Sequence, residues 1–486
     1  MSKATTSMVL ACGLLILGNG ARATSDIPSL QSTTAPIAIY VDCAATSHGN
    51  GSASHPYWRI TDALQGARKL RRADPRRIVV TVAAGVCAGN FETQPTGQTN
   101  RPPELLPLVL NVPNLTLHGA GIMEYAEGYP VAQRPGTATT ITVDTPHFGN
   151  LDNAVIYIGP TSDGGRADGA IVEGMAIDDA ANSYLGIFMS RTQRLTVRDN
   201  VVEHVGFGVM SATDCSGSIV GNVLHDGTPG LFVAAGSQSN PAKLYLGGNS
   251  ITGNYEGLAV LGNSMATEQL DMGANPIAML PYPLHPAASE MGNRIEVEIE
   301  GNDVSNNHVG LRFAILGIFH YPYSETGTIN ASVHNNRFMD NTDFPFALDE
   351  GYVFRSTSSY WDNPDLTDFP DGFFGFLAAP FVTRGPISGP YSGVVNARLN
   401  HNLWSNVNVT PSAPAILTFT YIDAADPSMG APDPGLFNHY PYMRNSVVNL
   451  VDGDGLFSQP GVIRDDLRTV DPLDGVALLN QTRIRH

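Results

Sequence analysis

The sequence predicts an all-β solenoid, one chain wound into stacked coils of short strands and tight turns. Three observations predict it. Asparagine recurs in one local setting, at Asn200, Asn222, Asn249, Asn302, Asn336 and Asn402, and two residues later comes Val202, Leu224, Ile251, Val304, Phe338 or Trp404. The first two intervals are 22 and 27 residues. At that period one unit cannot bury its own apolar face and must stack on copies of itself. In the first four units a glycine (Gly206, Gly230, Gly257, Gly310) then introduces a new apolar strand. Third, 50 glycines and 34 prolines among 486 residues indicate many turns rather than a helical protein.

Residues 1–23 read as a secretory signal peptide. Lys3 supplies the positive start, residues 9–17 form an apolar core too short to span a bilayer, and Ala21-Arg22-Ala23 has the form of a cleavage site. No later stretch is apolar enough for a membrane helix, so no membrane insertion is expected. The mature chain is expected to be secreted, either extracellular or periplasmic. Its net charge falls from -18 to -20 once Lys3 and Arg22 leave with the signal. That charge argues against nucleic acid and anionic membranes as partners, whereas local basic patches still allow an acidic polysaccharide. Cys43, Cys87 and Cys215 remain. In an oxidising compartment a Cys43–Cys87 disulfide is expected, since both lie in the N-terminal segment, and the alternative is three buried thiols. Closing that loop contributes roughly 4 kcal/mol, less any strain.

Residues 24–36 are polar and read as a flexible leader. Ile37 to Val41 has the composition of a strand, and a turn-rich loop follows. Ile60, Ala63, Leu64, Ala67 and Leu70 then mark one helical face, with Thr61 as the candidate N-cap and Arg68 and Lys69 at the C-terminal end. The basic run over residues 68–77 reads as a solvated helix end. Residues 78–83 form the next strand, closed by Gly85.

This opening resembles the N-terminal cap of pectin-lyase-like parallel β-helix proteins. The resemblance rests on Tyr40-Val41-Asp42, on Ile60-Thr61-Asp62-Ala63-Leu64, and on the apolar strand ending near Gly85. It continues through the first clear rung, residues 108–121, and the asparagine units to about residue 408. It implies a single-stranded right-handed parallel β-helix with an N-terminal capping helix and long loop insertions. The domain spans residues 37–486, with a cap at 37–105, rungs at about 106–408 and a C-terminal segment at 409–486. Physically, successive coils pair in parallel about 4.8 Å apart with apolar side chains inward. Asparagine suits the turns because it tolerates left-handed backbone angles, and stacked asparagines form hydrogen-bonded ladders. The asparagines are therefore expected to be structural.

The spacing breaks twice. The intervals from Asn249 to Asn302 and from Asn336 to Asn402 are 53 and 66 residues, too long for one rung. The excess places insertions near residues 264–293 and 343–398. Loops this long in a solenoid are functional or disordered, and the aromatic content of the second argues against disorder.

The resemblance implies a substrate groove along one parallel sheet. The strands after the glycines place Phe188 and Ser190, Phe232 and Ala234, Ala259 and Leu261, Arg312 and Ala314, and Ala347 and Asp349 on that outward face, and a slip of one residue inverts them. Arg312 is a candidate to bind a uronate carboxylate or to neutralise an enolate-like intermediate. Asp349 and Glu350 are candidates for acid and base, or for holding a cation. His320 and Tyr321 are candidates for proton transfer, and Tyr323, Tyr360, Trp361, Phe188 and Phe232 for sugar binding. The tract His320-Tyr321-Pro322-Tyr323 recurs as His439-Tyr440-Pro441-Tyr442, which equally fits a loop-packing device.

Weaker signals include Lys243 as a lyase base. His204 and His225 are expected to stack, as turn histidines or as metal ligands. Asp178 and Asp179 face opposite ways on a strand. Asp452-Gly453-Asp454-Gly455 hints at calcium without a full calcium loop. No other cofactor is indicated. Asn341-Thr342-Asp343 spells a tripeptide found in polygalacturonases, but that family's other elements are absent. The expected function is an exported carbohydrate-active protein that binds an extended polysaccharide, possibly containing uronic acid, and cleaves it by β-elimination or hydrolysis. The alternative is a non-catalytic surface adhesin or structural protein.

Overall fold

The coils are built from three parallel sheets in which each interior strand pairs with a neighbour on either side, and Met123–Ala126 and Tyr129–Gln133 form a separate antiparallel hairpin. The computed structural model describes residues 35–91, 103–143, 154–161, 165–178, 185–212, 214–227, 229–233, 240–261, 293–316, 326–342, 344–352, 392–404, 416–418, 447–456, 463–465 and 481–485. Residues 36–486 group as one compact unit. The signal, the leader up to residue 34 and the first insertion up to residue 292 lie outside the described residues.

The first sheet, here called the long sheet, runs from Ile37–Val41 through Leu195–Arg198, Ala242–Gly247, Asn293–Glu300 and Thr326–His334 to Gln481–Arg485. A shorter sheet beside it, the corner sheet, contains Met175–Asp178, Val201–Glu203, Val223–His225 and Ser250–Thr252. The third, the face sheet, contains Leu185–Ser190, Phe207–Ala212, Pro229–Val233, Glu256–Leu261, Val309–Leu316 and Phe344–Tyr352. The chain is a right-handed parallel β-helix. Its core is made by rows of aligned side chains, for example Val172, Val197, Ile219, Leu246, Ile299, Val333 and Leu399, all fully buried on the long sheet. Each such side chain contributes roughly 1.5–3 kcal/mol.

The asparagines form a buried ladder. Asn200 Nδ2 donates to Asn222 Oδ1 at 3.0 Å, Asn222 to Asn249 at 3.0 Å, and Asn249 to Asn302, Asn302 to Asn336 and Asn336 to Asn402 at 2.9 Å. Each backbone N–H donates to the same oxygen, as Asn302 N does to Asn336 at 2.9 Å. The second amide hydrogen reaches back one rung, as from Asn302 to the Leu246 carbonyl at 2.9 Å. The ladder ends on Asp454, which accepts from Asn402 Nδ2 at 2.7 Å and Trp404 Nε1 at 2.9 Å. Asp452 accepts from Leu456 N at 2.9 Å, so both aspartates of the calcium-like tract are bound by protein donors.

The left-handed backbone falls one residue earlier than expected. Asp199, Gly221, Gly248, Gly301, Asn335 and His401 carry it, at φ between 56° and 66°, and the asparagine itself does not. Turning the chain at the preceding residue leaves the asparagine amide pointing inward, where it bonds its neighbours. A second ladder escaped the sequence reading. Asn254 donates to Asn307 at 3.1 Å and Asn307 to Asn341 at 3.2 Å, each again after a left-handed residue (Gly253, Asn306, Asp340). Asn341 is thus a ladder member, which accounts for the isolated polygalacturonase-like tripeptide.

Four further expectations change. The helix is Ile60–Arg71, so Thr61 lies inside it rather than at the cap, and the side chain of the Arg59 cap position bonds Asp62 without capping a backbone N–H. Glu104 does the capping from another strand, accepting from Ile60 N at 2.6 Å and Thr61 N at 2.9 Å. Burial raises the Glu104 pKa, against the pull of these donors. The glycine column is Gly208, Gly230, Gly257 and Gly310, with Gly206 outside it. A Cβ on Gly208 would sit 2.4 Å from the Gly230 carbonyl oxygen, so close approach fixes the residue type. The second insertion also shrinks, because strands Phe344–Tyr352 and Ser392–Asn400 occupy both its ends and leave 353–391 outside the described residues. Coiling continues past residue 408 through Val447–Asp452 and Gln481–Arg485.

Cys43 and Cys87 are disulfide-bonded, with Cα atoms 5.3 Å apart. Cys215 is a buried thiol whose pKa is pushed up to about 11 by burial, so it is structural.

Replacing Asn302 by alanine strands the amides of Asn249 and the Leu246 carbonyl in the core. The expected loss of unfolding free energy is about 3 kcal/mol or more, read by denaturant titration.

Candidate functional site

Among the described residues, the face sheet does not present the open groove expected of it. The predicted alignment holds, since Tyr157, Phe188, Met210, Phe232, Ala259, Arg312 and Ala347 stack in register rung upon rung. The accessibility does not. Phe188 and Phe232 are 0% and 2% exposed, so neither ring offers a face to a sugar. They belong to a second buried layer outside the coil core. Phe188 packs 5.7 Å from Tyr157 and Phe232 packs 5.4 Å from Phe207.

Arg312 forms an ion pair with Glu256, which is 1% exposed. Its guanidinium is therefore held by a buried carboxylate of its own chain. Asp349 and Glu350 lie on Phe344–Tyr352 opposite Ala314 and Ile315. His320, Tyr321, Tyr323, Tyr360 and Trp361 lie outside the described residues.

The open polar surface is instead the outer face of the long sheet. Strand Asn293–Glu300 alternates Arg294, Glu296, Glu298 and Glu300 outward with Ile295, Val297 and Ile299 inward. Strict alternation of this kind signals a half-buried strand, and it was readable in the sequence. Neighbouring rungs add to three columns. One holds Lys243, Glu296, Asn330, Asn396 and Asn449, the next holds Tyr245, Glu298, Ser332 and Arg398, and the last holds Glu300, His334 and Asn400. Rungs are about 4.8 Å apart and outward columns about 6.6 Å apart.

Over these columns lies a shallow depression of about 540 Å³, lined among others by Lys243, Tyr245, Glu296, Glu298, Asn330 and Asn396. Lys243 Nζ is 3.0 Å from Glu296, and Arg294 is 2.6 Å from the same carboxylate. Tyr245 donates its hydroxyl to Glu300 at 3.0 Å. His334 lies between two carboxylates, Nε2 at 3.3 Å from Glu298 and Nδ1 at 3.7 Å from Glu300. Asn396 donates to Asn330 at 2.9 Å and Asn449 to Asn396 at 2.8 Å, forming an exterior amide ladder. The surface thus combines amides, one aromatic ring, cations and carboxylates in rows along the coil axis. Of the residues singled out in the sequence, only Lys243 falls here.

No family model matches the sequence, and no curated protein matches it. Among solved structures, the DFA-IIIase of Arthrobacter chlorophenolicus A6 in complex with GF2 is 11% identical with a TM-score of 0.36, over 92% of this chain and 98% of that one. The A-module of the mannuronan C-5 epimerase AlgE6 of Azotobacter vinelandii is 12% identical with a TM-score of 0.29, over 87% and 92%. ORF18 of Geobacillus virus E2 is 13% identical with a TM-score of 0.27, and the match spans 78% of this chain but only 59% of that one. These figures carry no activity over to this chain.

Removing one partner of a buried ion pair costs about 3–5 kcal/mol, whereas replacing both by apolar groups is close to neutral. Arg312→Ala is therefore expected to destabilise the fold by about 3 kcal/mol, and the double variant Arg312→Met, Glu256→Leu to recover most of it, as read by denaturant unfolding.

Proposed function

We propose that the protein is exported and binds an extended polysaccharide along the outer face of the long sheet. The polymer is cleaved there by hydrolysis or β-elimination. One observation carries this reading: the depression's polar groups repeat rung by rung along the coil axis. A linear polymer lying along that axis meets amides and hydroxyls at each step. Tyr245 supplies a ring for stacking on a sugar face, and Lys243, Arg294 and Arg398 supply charge for uronate groups. Export is supported by the signal-like leader and by the disulfide. No helix among the described residues is long and apolar enough to cross a membrane.

Glu296 and Glu298 point outward two residues apart on one strand, so their backbones are about 6.6 Å apart. Inverting hydrolysis requires the two carboxyl groups themselves to stand about 6.5–9.5 Å apart, with a water on the opposite face of the sugar ring, and this pair is the candidate for it. β-Elimination instead takes a base, a neutralising cation and an acid, for which His334, Lys243 and Tyr245 are the candidates. The second reading is a non-catalytic surface protein. Its specific support is that Arg312, the most promising catalytic cation in the sequence, is committed to Glu256.

The test is incubation of the full chain with a panel of uronic-acid and neutral glycans, reading affinity, new reducing ends and new unsaturated ends. At least one glycan is expected to bind, with Tyr245→Ala weakening it roughly 3- to 10-fold through the lost stacking. Glu298→Gln is expected to abolish hydrolysis while binding persists. Wild-type binding without cleavage would select the surface-protein reading, and binding of no glycan at all would contradict both carbohydrate roles.

A further inference from the structure

The second asparagine ladder begins at Asn254, and the two rungs before it carry different chemistry at the same corner. There the left-handed positions are His204 and Asp226, both at φ 57°, where later rungs have Gly253 and Asn306. The residues just before them, Glu203 and His225, end corner-sheet strands and stack on Asp178 of the preceding rung. Three consecutive rungs thus bring two imidazoles and three carboxylates to one patch.

The contacts alternate acid and imidazole. His204 Nδ1 lies 2.9 Å from Asp178 Oδ1, and its Nε2 lies 3.6 Å from Asp226 Oδ2. His225 Nε2 lies 2.6 Å from Glu203 Oε2, and its Nδ1 lies 2.8 Å from Asp226 Oδ2. The two rings stand 6.1 Å apart. Asp178, Glu203 and His204 each offer a ligand atom, and all three atoms lie within 4.8 Å of one another. Side chains here are roughly a quarter to a half exposed, so an ion can enter from solvent.

We propose that this corner binds a divalent first-row transition ion such as zinc, with Asp178, Glu203 and His204 as ligands. His225 and Asp226 are the positioning residues. His225 holds the Glu203 carboxylate, and Asp226 holds the far side of the His225 ring, the outer arrangement that orients ligands around metals. With neutral imidazoles the five side chains carry three negative charges, which a divalent cation offsets in part. The donor set decides the ion class. Imidazole with carboxylate suits zinc and its neighbours, whereas calcium takes six to eight oxygens, more than this patch supplies. The bound ion would join two rungs, with the positioning residues on a third, before the first asparagine of this corner's ladder. The cluster of Glu298, Glu300 and His334 on the long sheet has a single imidazole, with the Tyr245 hydroxyl on Glu300, and serves as the internal control.

The experiment uses the untagged full chain, stripped with chelator and titrated with Zn²⁺ by calorimetry, then with Co²⁺ while visible absorption is recorded. One saturable site is expected, with a cobalt band typical of nitrogen and oxygen ligation and a rise in melting temperature on Zn²⁺ addition. His204→Ala and Glu203→Gln should each weaken binding at least tenfold, His225→Ala about tenfold, and His334→Ala not at all. Circular dichroism reports whether each variant is folded. The proposal fails if the wild type takes up no Zn²⁺, if folded His204→Ala binds as the wild type does, if His334→Ala removes the site, or if Ca²⁺ binds in preference to Zn²⁺.

Discussion

The buried asparagine ladder is the constraint on which the rest of the fold depends. A coil has inward-facing turns whose backbone groups cannot reach water, and each must find a partner inside. The amide side chain solves this at one position per rung. Its oxygen accepts from the rung below, and its nitrogen donates both to the rung above and to a carbonyl behind. Because the same group serves both neighbours, the ladder sets rung height and strand register together. The sheets can then carry whatever outward residues function requires.

The ladder also explains how the fold tolerates its insertions. Asn249 and Asn302 are 53 residues apart yet bond at 2.9 Å, and Asn336 and Asn402 are 66 apart and bond at 2.9 Å. The chain leaves the coil and returns to the same register, because the buried amides specify where it must rejoin. Closing a longer loop costs little, since the entropy grows only with the logarithm of length.

The fold was legible from the asparagines because their period reports a packing constraint that every rung shares. The second ladder was legible too, five residues after the first at Asn254, Asn307 and Asn341, but the offset that marks the first ladder fails there, since two residues on stand Glu256, Val309 and Asp343. The site was less legible. Phe188, Phe232 and Arg312 were rightly aligned, since register follows from the repeat, but whether an outward residue meets solvent or another layer depends on tertiary packing that local pattern does not encode. Glu296, Glu298 and Glu300 carried the better signal. A charge at every second position of a strand cannot be buried without partners, so that face had to remain open. The coils beyond residue 408 were missed because Asp454, not an asparagine, takes the last place on the ladder.

The two surfaces singled out for chemistry share this origin. The long sheet aligns like groups along the axis, which suits a polymer, and the corner of His204 and Asp226 gathers unlike groups across rungs, which suits an ion. The claim beneath both is that the ladder amides hold neighbouring rungs in register. Native-state hydrogen exchange resolved to single amides tests it most directly. The backbone N–H groups of Asn222, Asn249, Asn302 and Asn336, each bonded to the next ladder oxygen, should exchange among the slowest in the chain and with similar protection. Exchange of these amides as fast as that of exposed turn residues such as Glu127 or Gly128 would contradict the account.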